Sequence, residues 1–455
     1  MKRAPRRSIG LGGLALLIAL AGCAPERTPP FLLLLSVDTL RADRVGAYGG
    51  PPGLTPHIDA LMAESVVFEN AFSTCSYTLP SLGALMTGRY PEEVGMHANV
   101  SLLGPEFATL ASVLELGGWV TGAVVSNYVL RSETGMDRGF GVYDDTFTQR
   151  EANRDLPERT AAPTTDAALR LADQLLEAGG PGAFLWVHYQ DPHGPYLPPS
   201  GRRERFLDAA RSRPNGALRL ESGSPFGAIP AYQYVEGQNE VAFYLAGYDG
   251  EISYLDDEVG RLLRGLEERG ITDNAVIVFV ADHGEALGEA DYWFSHGEYL
   301  MDALIHLPLS IRAPGLEPGR RDEPVSQLDL FPTLLALFDV PLADAYQGHD
   351  LLSGEIPRDR EIYLASLRGS SVPRYGLIAD GFKYVVTRRE SGREEQLFRL
   401  GDDGQDVSGD EPETTARMRG RLATLRSRLR VPQERRLQIN ADERRRLEQL
   451  GYLVD

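Results

Sequence analysis

Short, unbroken apolar runs set the pattern of this chain. Phe31–Val37 (FLLLLSV), Trp119–Val125, Ala183–Tyr189 (AFLWVHY) and Ala275–Val280 show no polar–apolar alternation. Such runs predict strands buried on both faces, as in a parallel sheet. Val66–Ala71 and Leu307–Arg312 read as further strands. Between them, apolar positions recur at helical spacing. Glu240–Arg269 is the longest such stretch, with Phe243, Tyr248, Ile252, Leu255, Val259 and Leu262 on one face. Pro56–Glu64, Pro80–Thr87, Phe107–Leu116, Pro163–Ala178 and Ser326–Phe338 predict shorter helices, with Pro56 and Pro80 each suited to a first turn. Strands alternating with helices predict an α/β sandwich around a mainly parallel sheet.

Beyond about Gly348 the texture changes. Glu361–Ala365, Tyr375–Ile378, Phe382–Thr387 and Glu395–Leu400 read as short strands joined by tight turns, a small antiparallel subdomain. Arg-rich helical segments follow at Glu413–Leu429 and Ala441–Leu450. The division is a leader over residues 1–22, a tether over 23–30, a catalytic domain over 31–347, a C-terminal subdomain over 348–410 and a helical tail over 411–455. Leu197–Asn239 is expected to be a long irregular stretch, with Arg202, Arg203 and Arg205 either meeting an anionic substrate or forming a solvated charge run.

Charge and cysteine usage narrow the picture. A net charge of −19 argues against nucleic-acid binding, because no basic field draws a phosphate backbone. Lys2, Arg3, Arg6 and Arg7 precede an uncharged Leu/Ala-rich stretch, Ser8–Gly22, too short for an ordinary spanning helix but suited to an export signal. Leu20-Ala21-Gly22-Cys23 resembles a bacterial lipobox, which implies cleavage before Cys23 and a lipid anchor in the cell envelope. Cys75 is the one other cysteine, so with Cys23 lipidated no disulfide braces the fold.

Polar residues sit where the apolar strands stop. Phe31–Val37 ends at Asp38, Ala275–Ala281 at Asp282 and His283, and Ala183–Tyr189 runs into Gln190-Asp191-Pro192-His193. Ligands of open α/β sheets bind at the carboxyl ends of strands. A carboxylate beside an imidazole can hold a divalent cation, or can simply satisfy turn amides. His296 lies in a Gly-flanked loop able to fold back over that edge. Thr78 precedes Pro80, at a helix start where amides and the dipole favour an anion; it is a nucleophile candidate or a plain cap. His188 and Asp43 read as structural.

Several of these stretches in one order resemble the sulfatase family of the alkaline phosphatase superfamily. They are LLSVDTLRADRVGAYG, TPHIDALMAESVVFENAFS, TLPSLGALMTGRYP, FLWVHYQDPHGPY, YDGEISYLDDEVGRLL and VFVADHGEALGE, within roughly Leu32–Ser408. The resemblance implies that family's α/β/α sandwich with a small C-terminal antiparallel subdomain. It implies one divalent metal ion (zinc, manganese or calcium) on Asp38, Asp282, His283 and Thr78. Thr39 replaces a second acidic ligand of many members, and Asn127 falls near their Lys and His. Thr78 takes the place of the cysteine that matures to formylglycine. The register Thr78-Leu79-Pro80-Ser81-Leu82 lacks both the Cys and the Arg that maturation needs, so no formylglycine is expected.

The resemblance therefore implies an enzyme acting on anionic sulfate or phosphate esters. Thr78 would be the nucleophile, and His193 and His296 would contact the transferred group or the leaving oxygen. A threonine ester cannot collapse to an aldehyde, which favours phosphodiesters or phosphonate esters. The alternatives are a sulfuric ester hydrolase working without formylglycine, an envelope phospho-alcohol transferase, and an inactive binding protein.

Overall fold

The computed structural model describes residues 30–147, 149–150, 157–213, 216–218, 226–341, 346–367, 372–441, 444, 445 and 447. The leader, Cys23 and most of the tether lie outside the described residues, as does most of Ala441–Leu450. Nine strands form the large sheet: β1 (Phe31–Val37), β2 (Val66–Phe72), β3 (Val120–Val125), β4 (Val142–Asp144), β5 (Ala183–Tyr189), β6 (Ala275–Ala281), β7 (His306–Leu307), β8 (Leu309–Arg312) and β9 (Gly319–Ser326). Their order is β7-β2-β8-β6-β1-β5-β3-β4, with β9 added on β2. β7 and β8 pair antiparallel with their neighbours, and every other pairing is parallel. The predicted α/β class with a mainly parallel sheet is the observed one.

The unbroken apolar runs form the sheet's centre because helices cover both faces. β1, β5 and β6 are buried along their whole length. The helices are α1 (Pro56–Ala63), α2 (Thr78–Thr87), α3 (Leu110–Leu116), α4 (Ala161–Ala178), α5 (Arg202–Arg211), α6 (Val241–Glu268) and α7 (Leu330–Leu337). The apolar face predicted for Glu240–Arg269 is the buried face of α6, with Tyr248, Ile252, Leu255, Val259 and Leu262 fully buried.

One strand carries no signal in the sequence, and one reading needs correction. β9, GRRDEPVS, has no apolar run and gives no strand signal. It forms because it lies at an edge, where charges and Pro324 are tolerated and the pairing shifts register between Arg321 and Pro324. Within Leu197–Asn239, the arginines are neither free nor in an irregular stretch. They begin α5, which packs on α6: Arg202 bonds Asp257 (2.8 Å) and the Ser253 carbonyl (2.9 Å), and Arg203 lies over the Phe243 ring.

The C-terminal sheet is antiparallel, in the order β10 (Ile362–Ser366), β11 (Arg374–Ala379), β12 (Phe382–Arg389), β13 (Gly392–Arg399). α8 (Pro412–Arg428) lies on it through Met418 and Leu422, in one apolar cluster with Tyr363, Leu377, Tyr384 and Leu397. Cys75 is buried with a free thiol. Among the described residues no helix is long and apolar enough to cross a membrane.

Candidate active site

Strand register brings the site together. β1 lies between β5 and β6, and Val37 is opposite both Tyr189 and Ala281. The three strands thus stop at one level, and the next residues carry the polar groups. The ladder extends one step further, with the Asp38 amide on the Tyr189 carbonyl (2.9 Å) and the Asp282 amide on the Val37 carbonyl (3.0 Å). The two carboxylates are fixed by backbone before any side-chain contact is made.

Thr39 locks the pair. It has φ of +54°, a left-handed backbone that strains a β-branched residue. That conformation points its amide at Asp282 Oδ1 (3.1 Å) and its carbonyl at the Tyr248 hydroxyl, which donates to it (2.6 Å). Thr39 therefore contributes to the site through its backbone, where the family pattern has a second acidic side chain.

Asp38, Asp282 and His283 are completely buried, and each offers one ligand atom within 4.8 Å of the others. His283 Nε2 is 3.5 Å from Asp282 Oδ2 and 3.9 Å from Asp38 Oδ1. Asp282 Oδ1 is occupied by the amides of Thr39 and His283, and Asp38 Oδ2 by the Asn127 side-chain amide (2.5 Å). The remaining oxygens, Asp38 Oδ1 and Asp282 Oδ2, have no hydrogen-bond partner. His283 Nδ1 bonds the Gly284 carbonyl (2.9 Å), so it carries the proton and Nε2 presents a lone pair.

The electrostatics fit a cation. Burial drives the Asp282 carboxyl well above its usual range, and the adjacent Asp38 charge adds to this. Burial also pushes Asp38 up, but the neighbouring His193, His188 and His283 outweigh it and hold Asp38 below its usual range. Burial lowers His283 to about 4, which keeps it neutral as a ligand must be. Two unspent carboxylate oxygens and one imidazole lone pair, all dry, match a divalent ion, which would relieve the cost of burying the carboxylates together.

Thr78 is the first residue of α2, and Tyr77 is the cap. The Thr78 hydroxyl caps nothing in the helix; it donates to His283 Nε2 at 3.3 Å, so Thr78 adjoins the carboxylate cluster. The neighbouring Leu79 amide bonds Asn99 Oδ1 (2.9 Å), which fixes the Asn99 side chain with its buried Nδ2 unpartnered. Sequence reasoning missed Asn99, because nothing local marks it.

His193 and His296 both reach the site, with ring centres 5.2 Å apart and His296 4.6 Å from His283. His296 is delivered by a small antiparallel ladder between Ala286–Leu287 and Trp293–Ser295 that folds its loop back. Gly297, at φ +95°, then lets the Tyr77 ring pack where any Cβ would collide. Glu285 anchors His296: Oε1 is 3.1 Å from Nδ1, and Oε2 accepts from the Tyr196 hydroxyl (2.9 Å). Glu285 was also missed, although it lies in the ADHGE run. Asp43 is structural as read, paired with Arg41 (2.7 Å).

A cavity of about 560 Å³ opens beside His193. Asp191, Glu251, Arg159, Gln190 and Tyr254 are among its lining residues. Asp191 Oδ2 and Arg159 Nη1 are buried without partners.

Comparison with known proteins gives the family. The chain is 26% identical over 402 residues to the uncharacterized sulfatase YidJ of Escherichia coli (strain K12), covering 79% of each. It is 27% identical over 389 residues to human iduronate 2-sulfatase, covering 67% of this chain and 68% of that one. The phosphonate monoester hydrolase SpPMH of Silicibacter pomeroyi shares the fold at a TM-score of 0.70, with 21% identity over 90% of this chain and 99% of that one. The Sulfatase family pattern matches residues 30–340. The chain belongs to the sulfatase family and is a hydrolase of sulfuric or phosphoric esters.

Proposed function

We propose that this hydrolase cleaves phosphodiesters or phosphonate esters, with Thr78 as the nucleophile and one divalent cation held by Asp38, Asp282, His283 and Thr78. The observation that carries the reading is a threonine hydroxyl, at the buried start of α2, bonded to His283 of the carboxylate cluster. Thr78 Oγ1 attacks the central atom, the bond to the leaving alcohol's oxygen breaks, and a Thr78 ester results; water must then attack the same atom, releasing the acid and restoring the Thr78 hydroxyl. A formylglycine hydrate would release sulfate by collapsing to an aldehyde, and threonine has no such route. Phosphorus suits the water step better.

When bound, the cation would neutralise non-bridging oxygens and lower the pKa of the Thr78 hydroxyl. The chain's residues supply the rest. Asn99 Nδ2, a buried donor without a partner beside the start of α2, would offer a hydrogen bond to the transferred group. His193 Nδ1 donates to the Gly194 carbonyl (2.8 Å), which fixes the ring, and His193 would serve the leaving oxygen. His296, held by Glu285, serves the transferred group. The cavity beside His193 would seat the alcohol part of the ester. Its unpaired acceptor on Asp191 and donor on Arg159 suit a polar alcohol. We also assign the mature chain to the bacterial envelope, anchored through a lipid on Cys23; incorporation of labelled palmitate, abolished in Cys23→Ala, checks this.

The test of the chemistry is the rate ratio on matched aryl phosphate diester and aryl sulfate, with divalent metal supplied. A ratio well above one supports phosphoryl chemistry. A ratio below one assigns Thr78 to sulfate esters instead.

A further inference from the structure

His188 is a completely buried histidine one turn of the strand pleat from the site. It lies on β5 opposite Ser36 of β1, and both point to the face that carries Asp38. Three groups line up behind it. Trp186 Nε1 donates to Ser36 Oγ at 2.8 Å. Ser36 Oγ is 2.9 Å from His188 Nδ1. His188 Nε2 is 3.7 Å from Asp38 Oδ2.

Hydrogen-bond inventory orients this row. An indole N–H is a donor only, so Ser36 accepts from Trp186. The Ser36 hydroxyl proton then has one bonded acceptor, the lone pair of His188 Nδ1. Nδ1 thereby accepts and carries no proton, which places the ring proton on Nε2, the atom nearest Asp38. His188 Nε2 is buried and makes no hydrogen bond of ordinary length; Asp38 Oδ2, at 3.7 Å, is the charged group it faces. Asp38 Oδ2 then faces two donors, the Asn127 amide at 2.5 Å and the His188 N–H, while Oδ1 has none.

We propose that His188, with its proton set on Nε2 by the Trp186–Ser36 row, is a positioning residue that anchors Asp38 Oδ2 so that Oδ1 alone is presented to the cation. His188 is itself no ligand: the cluster whose ligand atoms lie within 4.8 Å of one another comprises Asp38, Asp282 and His283. This row gives Asp38 a fixed orientation in a site where Thr39 supplies no carboxylate. The proposal rests on Asp38 being a cation ligand.

Two measurements test it. Neutron diffraction from a perdeuterated crystal of the metal-free chain locates the proton directly. The expected result is a deuteron on His188 Nε2, none on Nδ1, and the Ser36 deuteron directed at Nδ1. A deuteron on Nδ1 overturns the proposal. Calorimetric titration with Mn²⁺ is the second. Removing a partner that orients a ligand typically weakens metal binding by roughly 10- to 100-fold. Ser36→Ala is expected to fall in that range, and Ser36→Thr, which keeps the hydroxyl, to restore at least part of it. Mn²⁺ affinity within twofold of the parent in Ser36→Ala overturns the positioning role. Absence of Mn²⁺ binding by the parent overturns the cation reading itself, and is distinguishable because the proton position is read without metal.

Discussion

Two clusters in this chain offer the same kinds of ligand, and they do opposite things with them. Asp38, Asp282 and His283 gather at the strand ends; His57, Asp256 and Asp257 gather where α1 meets α6. In the second cluster the buried carboxylate, Asp256, is already used. Asp256 accepts from the amides of His57 (3.1 Å) and Ile58 (2.8 Å) and so caps α1 from a neighbouring helix. Asp257 is half exposed and paired with Arg202. In the first cluster, one oxygen of each carboxylate is buried without a hydrogen-bond partner. Residue type and proximity are shared. What separates a site from a brace is whether buried acceptors are left unspent.

The comparison can be broken in graded ways. The largest effect is expected from Thr78→Ala, which removes the proposed nucleophile while leaving the carboxylates in place. Turnover should fall by about 10⁴-fold or more, with metal content retained; steady-state kinetics and elemental analysis check both. Asp282→Asn should lower kcat/KM by about 10³-fold and abolish the rise in Tm that added metal gives the parent, measured by calorimetry with and without metal. Asp256→Ala should do the reverse. It strands the first amides of α1 and should cost roughly 1–3 kcal/mol in denaturant unfolding, with metal content unchanged.

A third arrangement gives the smallest effect. Asp191 and Glu251 are buried facing each other, and burial raises Asp191 to about 6 and Glu251 well above its usual range. A folded value above the unfolded one means that the native chain holds the proton more tightly. That stability is complete below about pH 4 and is lost as pH rises through about 6. Asp191→Asn removes this dependence. Its Tm relative to the parent should therefore improve by a few degrees between pH 5 and pH 8.

How much of this was legible beforehand differs between fold and site. The parallel core was plain, because β1, β5 and β6 are continuous apolar runs and only double burial selects such runs. The charged edge strand β9 was not, since its pairing comes from β2 and its sequence carries no apolar signal. Asp38, Thr78, His193, Asp282, His283 and His296 could be named from strand ends and family motifs, and the structure brings all six together. Asn99, Glu285 and Ser36 could not be given roles, because each acts through a partner distant in sequence or across a loop. The arginines of α5 misled for the same reason: their partners are on α6. Spacing reports the groups a strand end offers, while hydrogen-bond accounting reports which remain free.

The most direct test of that distinction is a crystal soaked in Mn²⁺, with anomalous scattering recorded. The account predicts one strong peak between Asp38, Asp282 and His283, and none at His57, Asp256 and Asp257. A peak at the second cluster, or none at the first, would contradict it.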